Sequence, residues 1–206
     1  MSEWTKVFYG LIISSVIGVL FGFVTVKFVK YLFKKFQRAE TNIFFKRAQI
    51  ASGAAMAFLH GAQDGQKFLG IFMLGTFLAK GQEIPEIFDT PLYILILFAV
   101  VMGVGTSIGG YKIIKSVGMD MVKLEKFEGF SADFAAAACL LVSTLTGIPL
   151  STTHTKTTAI MGVGAAKRIS NVNWNVVKEM VLAWVLTFPG CMLIGFLMSK
   201  LFIFIF

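Results

Sequence analysis

Charged residues are scarce in this 206-residue sequence. They make up 15% of it, against about 25% in soluble domains, while hydrophobic residues make up 56%. This balance excludes an ordinary soluble domain, so the length is better counted in membrane spans of about 20 residues. A net charge of +8 can indicate nucleic-acid binding. In so apolar a chain it instead indicates cytoplasmic loops, where Lys and Arg accumulate, and no nucleic-acid partner is expected.

Histidine and cysteine are also rare, with two of each. Cys139 and Cys191 both lie inside apolar segments and are expected to be small core residues, not disulfide partners or metal ligands. An enzyme would need a nucleophile–base set or metal ligands near a cleft. The sequence offers only His60 and His154 for that purpose, with no Cys/His cluster, no HExxH and no Gly-Lys-Ser phosphate loop. It therefore predicts a non-enzyme without a cofactor.

Long apolar stretches are what the sequence does contain. They predict an all-α membrane protein, one transmembrane domain over residues 1–206 with about four transmembrane helices and one re-entrant helical hairpin. The predicted spans are residues 1–33, 48–79, 91–111 and 180–199. Gly18 and Gly22 in the first span have the small-xxx-small spacing that favours close helix packing.

Two loops determine the predicted orientation. Residues 34–47 form a basic linker, which the positive-inside rule places in the cytoplasm. This linker is expected to lie on lipid headgroups, either without specificity or as a segment that recognises particular lipids. The turn after the second span is acidic and suits the outside, with Glu83, Glu86 and Asp89. Together with the hairpin, this arrangement predicts a plasma-membrane protein with both termini outside.

A polar motif, His-Gly-Ala-Gln-Asp-Gly-Gln-Lys (60–67), lies in the middle of the second span. A charge at the centre of a membrane helix costs about 2.5–3.5 kcal/mol, so Asp64 is expected to have a proton, a cation or Lys67 as its partner. On a continuous helix His60, Asp64 and Lys67 share one face. A fixed Asp64–Lys67 ion pair is the purely structural alternative. The two glycines within the motif predict a local unwinding of the helix.

Residues 131–166 predict the re-entrant hairpin. Gly147 and Pro149 interrupt an apolar tract. The interruption leaves two arms of about 16 residues, or about 24 Å each, too short for a hydrocarbon core of about 30 Å. Both ends of the hairpin, at Asp133 and Lys167, would then face the cytoplasm.

The hairpin tip provides hydrogen-bond donors for an anion. Ser151, Thr152 and Thr153 follow the break at once. The N–H groups of the first helical turn have no intrahelical partner, and the helix dipole favours negative charge there. Alternatively, the hydroxyls only cap the helix or bond to their own backbone. His154 in the same turn either donates to the ligand, senses protonation or bonds to a neighbouring helix.

Taken together, the segments at 60–67 and 147–154, the latter Gly-Ile-Pro-Leu-Ser-Thr-Thr-His, resemble motifs of the inorganic phosphate transporter (PiT) family. That family carries a Gly-Ala-Asn-Asp-x-Ala-Asn element and a Gly-x-Pro-x-Ser-Thr-Thr hairpin in each of two inverted halves. The resemblance covers residues 45–206 and implies ion-coupled symport of inorganic phosphate by alternating access. The implied substrate-binding residues are Ser151, Thr152, Thr153 and His154. The implied residues of cation or proton coupling, with a possible sodium site at Asp64, are Gln63, Asp64, Gln66 and Lys67.

Two departures from the family pattern matter. Gln63 and Lys67 stand where the family has asparagines. Because a lysine ammonium would repel sodium or take its place, we expect proton coupling or reduced sodium dependence. The chain also has one copy of each motif and so resembles only the C-terminal inverted half.

Because the chain would supply only half of a site, a partner is expected in addition to the membrane lipid. The complement is expected to be a separate N-terminal-half subunit, a second copy of the chain or a missing portion. The alternatives to phosphate transport are a permease for sulfate or another oxyanion, and a regulatory or scaffold subunit of a carrier.

Overall fold

The computed structural model describes residues 3–85, 89–148 and 150–205. Pro149, predicted to break the hairpin, and Glu86 of the acidic turn lie outside the described residues. Within the described part the α-helices are, in chain order, α1 (Glu3–Leu32), α2 (Arg38–Ala79), α3 (Leu92–Lys115), α4 (Lys126–Thr146), α5 (Thr152–Lys167) and α6 (Trp174–Ile205). The structure divides into two compact units, Met1–Val172 and Asn173–Phe206, where the sequence predicts one domain.

Four of the described helices, α1, α3, α4 and α6, are long and apolar enough to cross a membrane. The prediction of an all-α membrane protein with about four such helices is confirmed, but the four helices are not all the segments that were predicted to span. The predicted second span, 48–79, is not among them, because the polar motif lowers the hydropathy of α2. The first arm of the hairpin, α4, takes its place. With 21 residues it is about 31 Å long, so the prediction that this arm is too short is wrong.

Helix ends account for the other differences from the predicted spans. Because α2 begins at Arg38, most of the predicted linker 34–47 is helical. The α2 helix is also continuous through residues 60–67, so the predicted unwinding at Gly61 and Gly65 is wrong. An intact helix satisfies its own N–H and C=O groups, which have no water to bond within a bilayer. The helices α3 and α6 are likewise longer than the predicted 91–111 and 180–199.

The α4 and α5 helices form a closed hairpin. Gly147 ends α4 in the left-handed conformation, with φ +68°, as predicted for a helix break. At the other end, the Lys167 ammonium donates to the Glu125 carboxylate that caps α4, at 3.0 Å. That hydrogen bond raises the pKa of Lys167, which therefore stays charged at neutral pH. Val122 and Val172 pair in an antiparallel bridge just outside the hairpin, so the chain enters and leaves at one end.

The backbones of α1 and α5 approach each other through glycines. A Cβ built on Gly22 would lie 2.2 Å from the Ala159 carbonyl oxygen, and one built on Gly162 would lie 2.1 Å from that of Val19. A Cβ on Gly18 would meet the Thr158 hydroxyl. The predicted close packing at Gly18 and Gly22 is confirmed, and its partner is the second arm of the hairpin.

This contact makes a testable prediction. Because a methyl group at Gly162 would overlap the α1 backbone, Gly162→Ala should lower the free energy of unfolding by about 1–3 kcal/mol. The matched control is Gly75→Ala in α2, where nothing lies within 4 Å of the added Cβ. The control should be neutral or stabilising by up to about 1 kcal/mol. Unfolding of the purified full chain in detergent micelles measures both, and equal stability of the two variants would contradict the packing.

Candidate functional site

Asp64, in the middle of α2, joins the two motifs. Its Oδ1 accepts a hydrogen bond from Lys67 Nζ at 2.9 Å, and its Oδ2 accepts one from the Thr152 hydroxyl at 3.0 Å. Lys67 Nζ also donates to the Leu150 carbonyl at 3.4 Å. His60 Nδ1 lies 3.5 Å from Asp64 Oδ2, so the predicted shared face of the helix is confirmed. The motif of α2 and the hairpin tip therefore meet at one carboxylate, through charge-assisted hydrogen bonds.

The three tip hydroxyls have different surroundings. Ser151 caps α5, and its Oγ accepts from the His154 backbone N–H at 3.4 Å. Thr152 is buried and its hydroxyl donates to Asp64. Thr153 is exposed, and among the described residues its hydroxyl has no hydrogen-bond partner. The capping alternative thus describes Ser151, whereas the Thr153 hydroxyl is exposed.

Gln63 holds the other arm of the hairpin. Its amide nitrogen donates to the Leu140 carbonyl at 2.9 Å and to the Thr144 hydroxyl at 2.8 Å. Ser143, 3.4 Å from the same nitrogen, donates in turn to the Ile148 carbonyl at 2.6 Å. The Gln63 side chain is buried. These contacts position the end of α4, a role that the sequence did not suggest.

An open cleft of about 290 Å³ lies beside these groups. Its lining residues are Gln63, Gln66, Lys67, Ser143, Thr144, Gly147 and Ile148. Gln66, one turn from Gln63, is exposed. Lys67, whose side chain is 49% exposed, contributes a positive charge to the cleft. The cleft brings three of the four predicted coupling residues, Gln63, Gln66 and Lys67, together with the end of α4 around a space that admits a small anion, whereas Asp64 is not part of its lining.

A second ion pair links the hairpin arms to each other. Lys156 Nζ pairs with Asp133 Oδ1, and the two side chains are 29% and 14% exposed. Asp133 therefore lies in the third turn of α4 and not at the end of the hairpin, which corrects the sequence prediction. Lys156 did not figure among the predicted site residues. The sequence did contain a signal for this ion pair. Each arm of the hairpin carries one charge of opposite sign among apolar residues, and an unpaired charge is costly there.

The carboxylate of Asp64 is compensated by groups of the protein. Each of its oxygens receives a hydrogen bond, one from Lys67 and one from Thr152. Lys67 supplies the positive charge that sodium would bring. Elsewhere in the described residues, no group of three or more His, Cys, Asp or Glu side chains could hold a metal ion.

Apolar helices of membrane-spanning length, with a polar-tipped hairpin facing the Asp64 carboxylate of α2, indicate an integral membrane protein of the transporter class. Comparison with known proteins identifies the family. The model of the phosphate transporter family matches residues 33–195. The chain belongs to the phosphate transporter family, which confirms the resemblance seen in its two motifs.

Individual relatives agree with this assignment. A probable low-affinity inorganic phosphate transporter of Bacillus subtilis (strain 168) is 39% identical over 184 residues, which are 89% of this chain and 55% of the relative. One of Rhizobium meliloti (strain 1021) is 35% identical, over 90% of this chain and 55% of the relative. A solved structure titled "The sodium-dependent phosphate transporter" is similar with a TM-score of 0.64 and 25% identity, over 89% of this chain and 54% of that one.

These relatives are named as transporters, which are not enzymes, so the alternative that the chain is a membrane enzyme is excluded. The chain spans about half the length of the relatives it matches.

The role of Gln63 in holding the hairpin is testable. Gln63→Leu removes the hydrogen bonds from Gln63 to the Leu140 carbonyl and to the Thr144 hydroxyl and should lower the free energy of unfolding by about 1–3 kcal/mol. Gln66→Leu makes the same chemical change at an exposed position one turn away and serves as the matched control. Hydrogen exchange of the α4 end, measured alongside unfolding, should increase in Gln63→Leu alone. Unchanged exchange in that variant would refute the role.

Proposed function

We propose that this chain forms one half of an ion-coupled transporter of inorganic phosphate. The observation that carries the proposal is the hydrogen bond from Thr152, at the hairpin tip, to Asp64 in α2. It places the donors of the tip, a carboxylate and the Lys67 ammonium around one point, at a hairpin whose ends meet on the same side. The names of the relatives support phosphate as the substrate.

In this proposal phosphate binds between the hairpin tip and the cleft beside Lys67. Thr153, the Ser151 hydroxyl and the first N–H groups of α5 donate to the anion, with His154 next to them. Lys67 turns from Asp64 toward the phosphate. The uncompensated Asp64 carboxylate then takes up a proton or a cation, because an isolated charge is costly at membrane depth. Because the Thr152 hydroxyl donates to Asp64, a change in the protonation or the partner of the carboxylate also changes the position of Thr152 and of the hairpin tip.

We further propose that rocking of the hairpin or of the helix bundle exposes the site to each side of the membrane in turn. Proton coupling is favoured over sodium coupling because Lys67 already holds the place of a cation at 2.9 Å from Asp64. The solved relative is titled sodium-dependent, so the two coupling modes make opposite predictions for this chain. The chain lies in the plasma membrane, with its basic segments in the cytoplasm and both termini outside.

The complementary half of the site is supplied by a second polypeptide, by a second copy of the chain or by a further portion of the same protein. The span of about half the length of the relatives supports this part of the proposal. Gln63 and Gln66 complete the wall on the side of α2, Gln63 by holding the hairpin and Gln66 from its exposed position in the cleft.

Radiolabelled phosphate uptake into proteoliposomes tests the substrate and the tip. The chain is reconstituted alone and with the complementary half that its relatives contain. Thr152→Val should reduce saturable uptake at least about tenfold, because a charge-assisted hydrogen bond contributes about 1.5–3 kcal/mol. Thr157→Val, a buried threonine of α5 beyond the tip, is the matched control and should transport normally.

Two arms of that assay address the alternatives. Excess unlabelled sulfate should leave phosphate uptake unchanged, and equal competition by sulfate would indicate a general oxyanion permease. The triple variant Ser151→Ala, Thr152→Ala and Thr153→Ala should abolish uptake. Full activity of the triple variant would instead identify this chain as a scaffold, whose partner alone carries the substrate.

Imposed ion gradients test the role of Lys67. With a proton gradient and no sodium, uptake should proceed, and a sodium gradient alone should drive little. Lys67→Ala should lose proton-driven uptake or gain sodium dependence, because the ammonium that compensates Asp64 is gone. A strict sodium requirement in the native chain that disappears in Lys67→Ala would overturn the proposal.

A further inference from the structure

A groove at the predicted cytoplasmic side lies far from the hairpin tip and is not used by the transport proposal. It has a volume of about 360 Å³ and lies where the end of α1, the start of α2 and the start of α4 meet. We name it the basic groove, after Lys30, Lys34 and Lys126, which line it together with Phe33, Phe36 and Phe127. We propose that the basic groove binds the phosphate headgroup of an anionic phospholipid.

The charges of the groove favour a negative ligand. Lys30, Lys34 and Lys126 are all exposed, and none of them forms an ion pair with a described residue. Glu125 also lines the groove, but its carboxylate accepts a hydrogen bond from Lys167 at 3.0 Å. Lys167 pairs with both Glu125 and Glu128 from outside the groove, so the three lysines that line the groove exceed the negative charge left there. Juxtamembrane lysines of this kind attract anionic lipid with about 1 kcal/mol each.

The aromatic wall distinguishes a lipid from a free phosphate ion. Phe33 packs on Phe45 with ring centroids 4.8 Å apart, and Phe45 packs on Phe127 at 6.1 Å. Phe45 is buried and fixes the wall, whereas Phe36 is 59% exposed at its edge. A free phosphate gains nothing from these rings. The glycerol and acyl chains of a phospholipid gain apolar contact there, at the depth where lysines reach the headgroups.

The groove is also preformed. The ring contacts tie the turn between α1 and α2 to α4, and the capping box of Glu125 and Glu128 fixes the first turn of α4. Three lysines, Lys30 in the last turn of α1, Lys34 in the turn after it and Lys126 at the start of α4, are therefore held around one space without a ligand. Such preorganisation separates a binding site from a merely basic surface, because less ordering is needed when the ligand binds.

Native mass spectrometry of the full chain in a non-ionic detergent provides the test. Dioleoylphosphatidylglycerol should form a saturable adduct, and dioleoylphosphatidylcholine should bind much more weakly. The variant Lys30→Gln, Lys34→Gln and Lys126→Gln should weaken the phosphatidylglycerol adduct on the order of 100-fold. The variant Lys112→Gln, Lys115→Gln and Lys123→Gln loses the same charge outside the groove and should bind like the native chain.

Further arms separate the sources of phosphate and guard against misfolding. Inorganic phosphate at millimolar concentration should not displace the lipid, and Phe36→Ala should weaken lipid binding. Lys34→Glu alone, at an exposed turn, should weaken the adduct even if the triple variant does not fold. The proposal is overturned by equal binding of phosphatidylcholine, by equal loss in the outside variant, or by displacement with inorganic phosphate.

Discussion

The carboxylate of Asp64 sets the constraint on which the site depends. An acid in the middle of an apolar helix must be compensated close by, and Lys67 does so from the next turn while Thr152 does so from the hairpin. Gln63, the preceding residue, projects about 100° away around α2 and bonds to the other arm. Two adjacent residues of one helix therefore hold the two arms of the hairpin separately, Gln63 the end of α4 and Asp64 the start of α5.

The two sides of the hairpin are held by different kinds of contact. Against α1 it packs backbone to backbone at Gly22 and Gly162, where no side chain lies between the helices. Such a contact has little freedom to slide, because any shift drives main-chain atoms into one another. Against α2 the tip is held by hydrogen bonds, from Thr152 to Asp64 and from Lys67 to the Leu150 carbonyl, which a charged ligand can replace one for one. A rearrangement at the tip is therefore easier on the side of α2 than on that of α1.

Local signals in the sequence predicted much of this arrangement. The break at Gly147 and the close packing at Gly18 and Gly22 are confirmed. What the sequence missed depends on distant partners. The acceptors of Gln63 lie some 80 residues away, and Lys156 is explained only by Asp133 on the other arm. Helix ends were also misjudged, since polar residues at the start of α4 continue its helix beyond the apolar stretch.

The charges at the hairpin tip give a physical reason for ion coupling in the proposed transport of phosphate. Asp64 and Lys67 cancel, and the hydroxyls of Ser151, Thr152 and Thr153 are neutral, so these groups carry no net charge toward an anion. Hydrogen-bond donors replace the water around phosphate but do not neutralise it. Moving the resulting complex through a low-dielectric site would then carry the full negative charge of the substrate. In the proposed mechanism, positive charge arrives with the anion or comes from the complementary half. Protonation of Asp64 is the proposed route by which this half supplies it, since it leaves Lys67 to balance the phosphate.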